Sequence, residues 1–149
     1  MARNDWETFE EFSLDLSNGV HDLGSDTFYL LLIDNTTPPT AADATPRLAD
    51  YVANEVGTDG GYTANGIQLT GTSTAEADGV TTFDDTGNIS LSQDGSGFTD
   101  AYWGVVYNGT AAADQAVGFV DLGGPLSEVA GDITITWHAS GIETITVTA

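Results

Sequence analysis

From Gly66 onward the chain is divided into short apolar segments separated by Gly, Asp and Thr, and this rhythm limits the possible folds more than any other feature. Residues 66–73 alternate through Ile67, Leu69 and Gly71. Residues 80–83 and 89–91 follow, each bounded by Asp/Gly turns. Residues 101–107 form a continuous aromatic run that reads as a central strand, and residues 116–120 come next. Ile133, Ile135 and Trp137 then alternate with Thr, and Ile142, Thr144, Ile145 and Val147 lie in a closing strand. Successive strand side chains point to opposite faces, so a period of two buries one face and wets the other. Strands roughly 8–12 residues apart with turns between them predict a sandwich or barrel.

The first part of the chain reads differently. Trp6, Phe9, Phe12, Leu16 and Val20 recur at spacings of three and four, which predicts a helix over residues 5–20 with one apolar stripe. Asp5 fits its N-cap and Asn18-Gly19 its stop. After a turn at Gly24-Ser25, residues 27–33 read as a buried strand. Residues 34–47, rich in Thr and Ala with Pro38, Pro39 and Pro46, predict an extended loop. A loop of that length in a compact domain often marks an interaction segment. Residues 48–55 fit either one helical turn or an irregular strand. No internal repeat or linker divides the chain, so the expectation is one domain over residues 1–149.

Charge then narrows the setting. Of the 149 residues, 23 are Asp or Glu and two are basic, Arg3 and Arg47; Lys is absent and the formal net charge is -21. Nucleic-acid phosphates and anionic lipid both call for Lys and Arg, so neither is expected as a direct partner. Highly charged chains are often disordered, but 40% of this one is hydrophobic, with three Trp, five Tyr and six Phe. Self-repulsion at this charge destabilises a compact state in dilute buffer. At about 1 M salt the screening length falls to about 3 Å and that cost largely vanishes. The composition therefore favours a protein working in molar salt, with an ordinary acidic secreted domain as the alternative. There is no Cys, which excludes disulfides and thiolate metal sites. The start Met1-Ala2-Arg3-Asn4-Asp5 leads into Glu7, Glu10 and Glu11 without an apolar h-region, so synthesis in a cytoplasm is expected. The longest apolar run, Tyr29-Leu30-Leu31-Leu32-Ile33, is too short to span a bilayer.

Motifs for chemistry are sparse. The two His, His21 and His138, lack any G-x-S-x-G or H-E-x-x-H context, and no catalytic constellation or cofactor is expected. Acidic turns at Asp78, Asp84-Asp85 and Asp94-Gly95-Ser96-Gly97 are weak calcium candidates, since none has the spaced acidic ladder of an EF-hand loop. Tyr102, Trp103, Tyr107 and Phe119 are candidates for a sugar-stacking platform, with burial in the core the default for such residues. Glycosylation acceptor patterns begin at Asn35, Asn88 and Asn108.

Several segments follow one another in a distinctive order. They begin with a helix leading into residues 19–28, Gly-Val-His-Asp-Leu-Gly-Ser-Asp-Thr-Phe, and an apolar strand. A Gly60-Gly61-Tyr62-Thr63-Ala64-Asn65-Gly66 turn opens the β region. Val105-Val106-Tyr107-Asn108 follows, then Val117-Gly118-Phe119-Val120-Asp121-Leu122-Gly123. Ile133-Thr134-Ile135-Thr136-Trp137 and the segment from Gly141-Ile142 onward close the pattern. These segments in this order resemble a family of small tailed-virus proteins that decorate or cement the head, from which the chain departs in lacking Lys and in its acidic, Pro-containing residues 34–47. The resemblance implies a β-sandwich or jelly-roll-like subunit, often trimeric, without enzymatic activity.

Taken together, the expectation is a mainly β protein, an antiparallel β-sandwich of jelly-roll-like form with one N-terminal helix. It would decorate or cement the outside of a halophilic tailed virus, with the major capsid protein and further copies of itself, a homotrimer or other homo-oligomer, as partners. Arg3, Trp6, Phe9, Phe12 and Arg47 are the residues expected to make capsid or subunit contacts. The rival expectation is a host-recognition module that binds surface glycan through exposed aromatics such as Trp103 or Tyr107.

Overall fold

The computed structural model describes residues 5–147. In chain order the elements are β1 (Trp6–Thr8), α1 (Phe12–Ser17), β2 (Phe28–Ile33), α2 (Leu48–Tyr51), β3 (Ile67–Gln68), β4 (Thr72–Ala77), β5 (Val80–Asp85), β6 (Ile89–Leu91), β7 (Ala101–Asn108), β8 (Ala116–Leu126), β9 (Ile133–Ile135) and β10 (Glu143–Thr146). A 3-10 turn, Val52–Asn54, follows α2. All strand pairs are antiparallel, and they form three sheets ordered β1-β8-β7-β2-β3, β10-β5-β4 and β6-β9. The mainly β, antiparallel fold expected from the sequence is the fold observed.

The five-stranded sheet is covered on both faces. On β2, Phe28, Leu30 and Leu32 enter one core while Leu31 and Ile33 enter another. A strand buried on both sides needs apolar residues at every position, which is why this segment shows no alternation. The first core is shared with Phe83, Ile89, Leu91, Ile133, Ile135 and Ile142 from the smaller sheets and their flanks, so this side is a sandwich. The second core contains Phe9, Tyr51, Val105, Tyr107 and Phe119, with Leu48 and Trp103 packed at its margin. Phe9 stacks on Tyr51 with ring centroids 5.9 Å apart. Each fully buried Leu or Phe contributes roughly 1.5–3 kcal/mol, so the two cores carry most of the stability. Along β8 the register slips, with Val106 opposite Gly118 and Tyr107 opposite Ala116. Val117 is the extra residue of this bulge and turns into the first core, while its neighbour Ala116 lies in the second.

The N-terminal helix is shorter than the apolar stripe predicts. Trp6–Thr8 is an edge strand paired with Val120, Phe119 and Gly118, and only Phe12–Ser17 is helical. Pairing there satisfies one edge of β8, which a helix over the same residues would leave open. Gly118 lets the Trp6 indole lie across the strand, because a Cβ at that position would come within 2.6 Å of Glu7 O and collide with the indole ring. The expected stop is present. Gly19 takes φ +71, Val20 N–H donates to Asp15 O, and Gly19 N–H donates to Leu16 O. These bonds close the helix in the manner of a Schellman motif.

The loop over residues 34–47 is attached to the body rather than projecting from it. The Asp43 carboxylate accepts from Thr40 N–H at 3.1 Å, Thr40 Oγ1 at 2.6 Å and Tyr51 Oη at 2.8 Å. Glu10 N–H donates to Ala41 O, and Ala116 N–H donates to Pro46 O. Residues 48–55 resolve as α2 followed by the 3-10 turn, and Tyr51 from this segment closes the second core.

Candidate functional site

The expected contact residues are dispersed. Arg3 lies outside the described residues. Phe9 is 1% exposed and Phe12 5%, so these two are corrected from contact residues to core residues. Both are large apolar side chains beside the sheet, and burial against it removes them from water without any partner. Trp6 is half-buried in β1. Arg47 is exposed just before α2, where its backbone N–H donates to Asp50 Oδ2 at 3.0 Å. Among the described residues no carboxylate pairs with its guanidinium.

The calcium candidates do not converge. Asp85 is buried and is occupied as a structural acceptor, taking Gly71 N–H at 2.7 Å, Gly87 N–H at 3.2 Å and Trp137 Nε1 at 3.2 Å. Asp84 Oδ1 accepts from Asp85 N–H. Asp94 closes its own turn by accepting from Ser96 N–H and Ser96 Oγ, and these bonds hold its carboxyl below the usual range. Among the described residues no group of three or more His, Asp or Glu is placed to hold a metal ion.

The aromatic platform is mostly internal. Tyr107 is buried, and its hydroxyl donates to Asn65 O. Loss of hydration, and then Asp114 nearby, raise its pKa to about 12. Trp103 is half-buried, donates to Asn35 Oδ1 at 3.0 Å and packs edge-on against Phe119. Asn108, one of the three sequon asparagines, is fully buried, and its side-chain amide holds the N-terminal segment to the sheet. Its Nδ2 contacts Asp26 Oδ2 at 2.7 Å, His21 Nδ1 at 3.2 Å and Val20 O at 3.3 Å. His21 is buried in this network with its Nε2 3.9 Å from Asp15 Oδ2, and burial lowers its pKa.

A recess in two compartments lies at the other histidine. A cleft of about 470 Å³ opens between Trp6 of β1, Val120, Leu122 and Leu126 of β8, and residues 134–138 with Gly141 and Ile142. A second compartment of about 380 Å³, lined by Asp5, Ser140, Glu143 and Thr144, shares Trp6, His138, Gly141 and Ile142 with it. The Trp6 and Trp137 rings meet edge to face, with centroids 6.4 Å apart and planes at 84°. Trp6 Nε1 donates to Thr8 Oγ1 at 3.2 Å and to Glu143 Oε2 at 3.1 Å, and Thr8 Oγ1 also donates to Glu143 Oε2. His138 Nδ1 accepts from Ser140 N–H at 3.1 Å. That bond comes from the backbone, whereas a Ser–His nucleophile pair needs the hydroxyl on the ring nitrogen. Neither Trp6 nor Trp137 was among the aromatics the sequence pointed to as a platform. The only sequence signal for this recess is Trp137-His138 at the end of an alternating strand.

No helix among the described residues is long and apolar enough to cross a membrane. No family of known proteins matches the sequence, and neither a curated protein nor a solved structure matches it.

Proposed function

We propose that the chain is a structural subunit on the outside of a tailed-virus head, a decoration or cement protein that works in molar salt. The observation that carries this reading is a β core covered on both faces in a chain of 23 acidic residues, most of them outside the cores, and no lysine. Such a body offers two basic residues against 23 acidic ones to nucleic acid or anionic lipid, and it stays folded where salt screens its self-repulsion. The resemblance of its segment order to head-decorating proteins favours the same reading. Its partners are the major capsid protein and further copies of the chain, a homotrimer in the simplest case. Many weak contacts suffice on a shell, because multiplicity converts them to avidity. Among the described residues, Arg47 and the exposed part of the loop over residues 34–47 are the contact surface the reading favours.

The test is direct. Particles from cells producing the chain are purified in molar salt, dialysed to low salt, and assayed by mass spectrometry for chain released and for chain rebound when salt is restored. The expected result is a stoichiometric, salt-reversible particle component. Recovery of the chain only in the particle-free fraction at molar salt would sink the proposal.

A further inference from the structure

We infer that the cleft between Trp6 and Trp137 is a carbohydrate-binding site for an uncharged sugar unit of a glycan. This goes beyond placement on a particle and does not depend on it. The larger compartment has an apolar lining of Val120, Leu122, Ile135 and Ile142 with the hydroxyls of Thr134 and Thr136 beside it. The smaller compartment is polar, with Asp5, Ser140 and Glu143. A pyranose has the same division, an apolar C–H face and a rim of hydroxyls. Recessed sites commonly combine an apolar wall with a few placed polar groups in this way.

Three features select a neutral sugar. The first is the state of the indoles. Trp6 Nε1 is tied to Thr8 and Glu143, and Trp137 Nε1 is tied to Asp85 at 3.2 Å. Both rings are therefore oriented before a ligand arrives and present carbon surface rather than N–H groups, which reduces the ordering cost of binding. The second is the supply of acceptors and donors. Each carboxylate oxygen has two lone-pair directions. Glu143 Oε1 accepts from Thr144 N–H at 2.9 Å and keeps capacity for a hydroxyl. Ser140 N–H on His138 Nδ1 places the proton of the neutral imidazole on Nε2, so the exposed ring supplies a donor where the two compartments meet. The third is charge. Among the described residues the lining holds two carboxylates and neither Lys nor Arg, which opposes a phosphate, sulfate or uronate. A wholly apolar segment would bury the polar end without partners, at a cost. In molar salt ionic recognition is screened, whereas ring stacking and hydroxyl hydrogen bonds persist.

The full chain, held in molar salt, is titrated with mannotriose, tri-N-acetylchitotriose and sialyllactose, followed by tryptophan fluorescence and by saturation transfer to the sugar protons. Two variants go through the same titration. Trp137→Ala removes one stacking face, and Thr136→Tyr fills the cleft from an exposed position. At least one neutral trisaccharide should bind saturably, sialyllactose should not, and both variants should weaken binding by about tenfold or more. Thr136→Tyr should melt at the parent temperature, which separates loss of the site from loss of the fold. Absence of saturable binding by both neutral sugars would overturn the assignment. So would unchanged affinity in a folded Thr136→Tyr, or a preference for sialyllactose.

Discussion

Glu128 is completely buried, and its surroundings are made of glycine. Its Oε1 accepts from Gly61 N–H at 2.8 Å, Asp94 N–H donates to its backbone O, and its own N–H donates to Phe98 O. One residue thus joins three turns. A Cβ on Gly97 would lie 2.8 Å from Glu128 Cβ and closer still to Oε2, whereas a Cβ on Gly95 would meet nothing within 4 Å. Gly97→Ala should therefore cost about 1–3 kcal/mol by overpacking, and Gly95→Ala should be close to neutral. Denaturant melts of the two variants check this, and equal midpoints would refute the cradle. His21 makes a second residue-scale prediction. Burial lowers its pKa from the ordinary 6.5, with Asp15 and Asp26 opposing. The unfolded chain then binds a proton that the folded chain does not, over the window below 6.5 and above the depressed value. Stability should fall as pH drops through that window. His21→Gln should flatten this part of the profile, because Gln does not titrate, although it lowers stability overall. Parallel melting curves for parent and variant from pH 7.5 to about pH 5 would exclude His21 as the source.

At the scale of elements, legibility followed burial. β2 and β7 were readable because both faces are apolar, and β6 and β9 because one face is. β4 was only partly readable, since five of its six residues are exposed and no apolar rhythm marks it. β8 runs on to Leu126 through Gly123, Gly124 and Pro125, which resemble a turn in sequence but extend a strand here. The N-terminal stripe misled because spacings of three and four also describe residues that enter two cores from a strand, a turn and one short helix. A six-residue helix is not stable alone, so tertiary contacts decided. The cleft was invisible because Trp6 and Trp137 come from opposite ends of the chain and meet only when β1 joins β8. The loop over residues 34–47 was visible as a loop but not as a cover. Its fastening makes a prediction: Asp43→Ala removes the acceptor for Thr40 and for the Tyr51 hydroxyl. The loss should be about 1–3 kcal/mol, accompanied by faster proteolytic cleavage within residues 34–47. Cleavage at the parent rate would show that apolar packing of Tyr51 alone holds the cover.

At the scale of the whole molecule, charge governs. The chain has a formal net charge of -21, and it has no lysine with which to form compensating pairs. Among the described residues the one approach of a basic nitrogen to a carboxylate within 4.0 Å is His21 to Asp15, and His21 favours the neutral form. Among the described residues, repulsion is therefore opposed by the cores, by the hydrogen bonds the carboxylates accept and by the solvent rather than by ion pairs. At about 0.01 M salt the Debye length is about 30 Å and the carboxylates repel across the entire domain; at about 1 M it is about 3 Å and they barely interact. Excluded salts also strengthen apolar association. Folding, and assembly of the proposed homo-oligomer, should both weaken on dilution from molar to millimolar salt, measured as melting temperature and oligomer mass at constant pH. Two comparisons separate screening from general solvent exclusion. Sucrose at matched osmolality should restore less stability than salt, because it strengthens burial without screening. A Glu10→Lys, Asp59→Lys variant, changed at two exposed positions, should need less salt to reach the parent's melting temperature. If the melting temperature were flat across the salt series, or if the lysine variant needed as much salt as the parent, the acidic surface would have no role in holding the chain folded in brine.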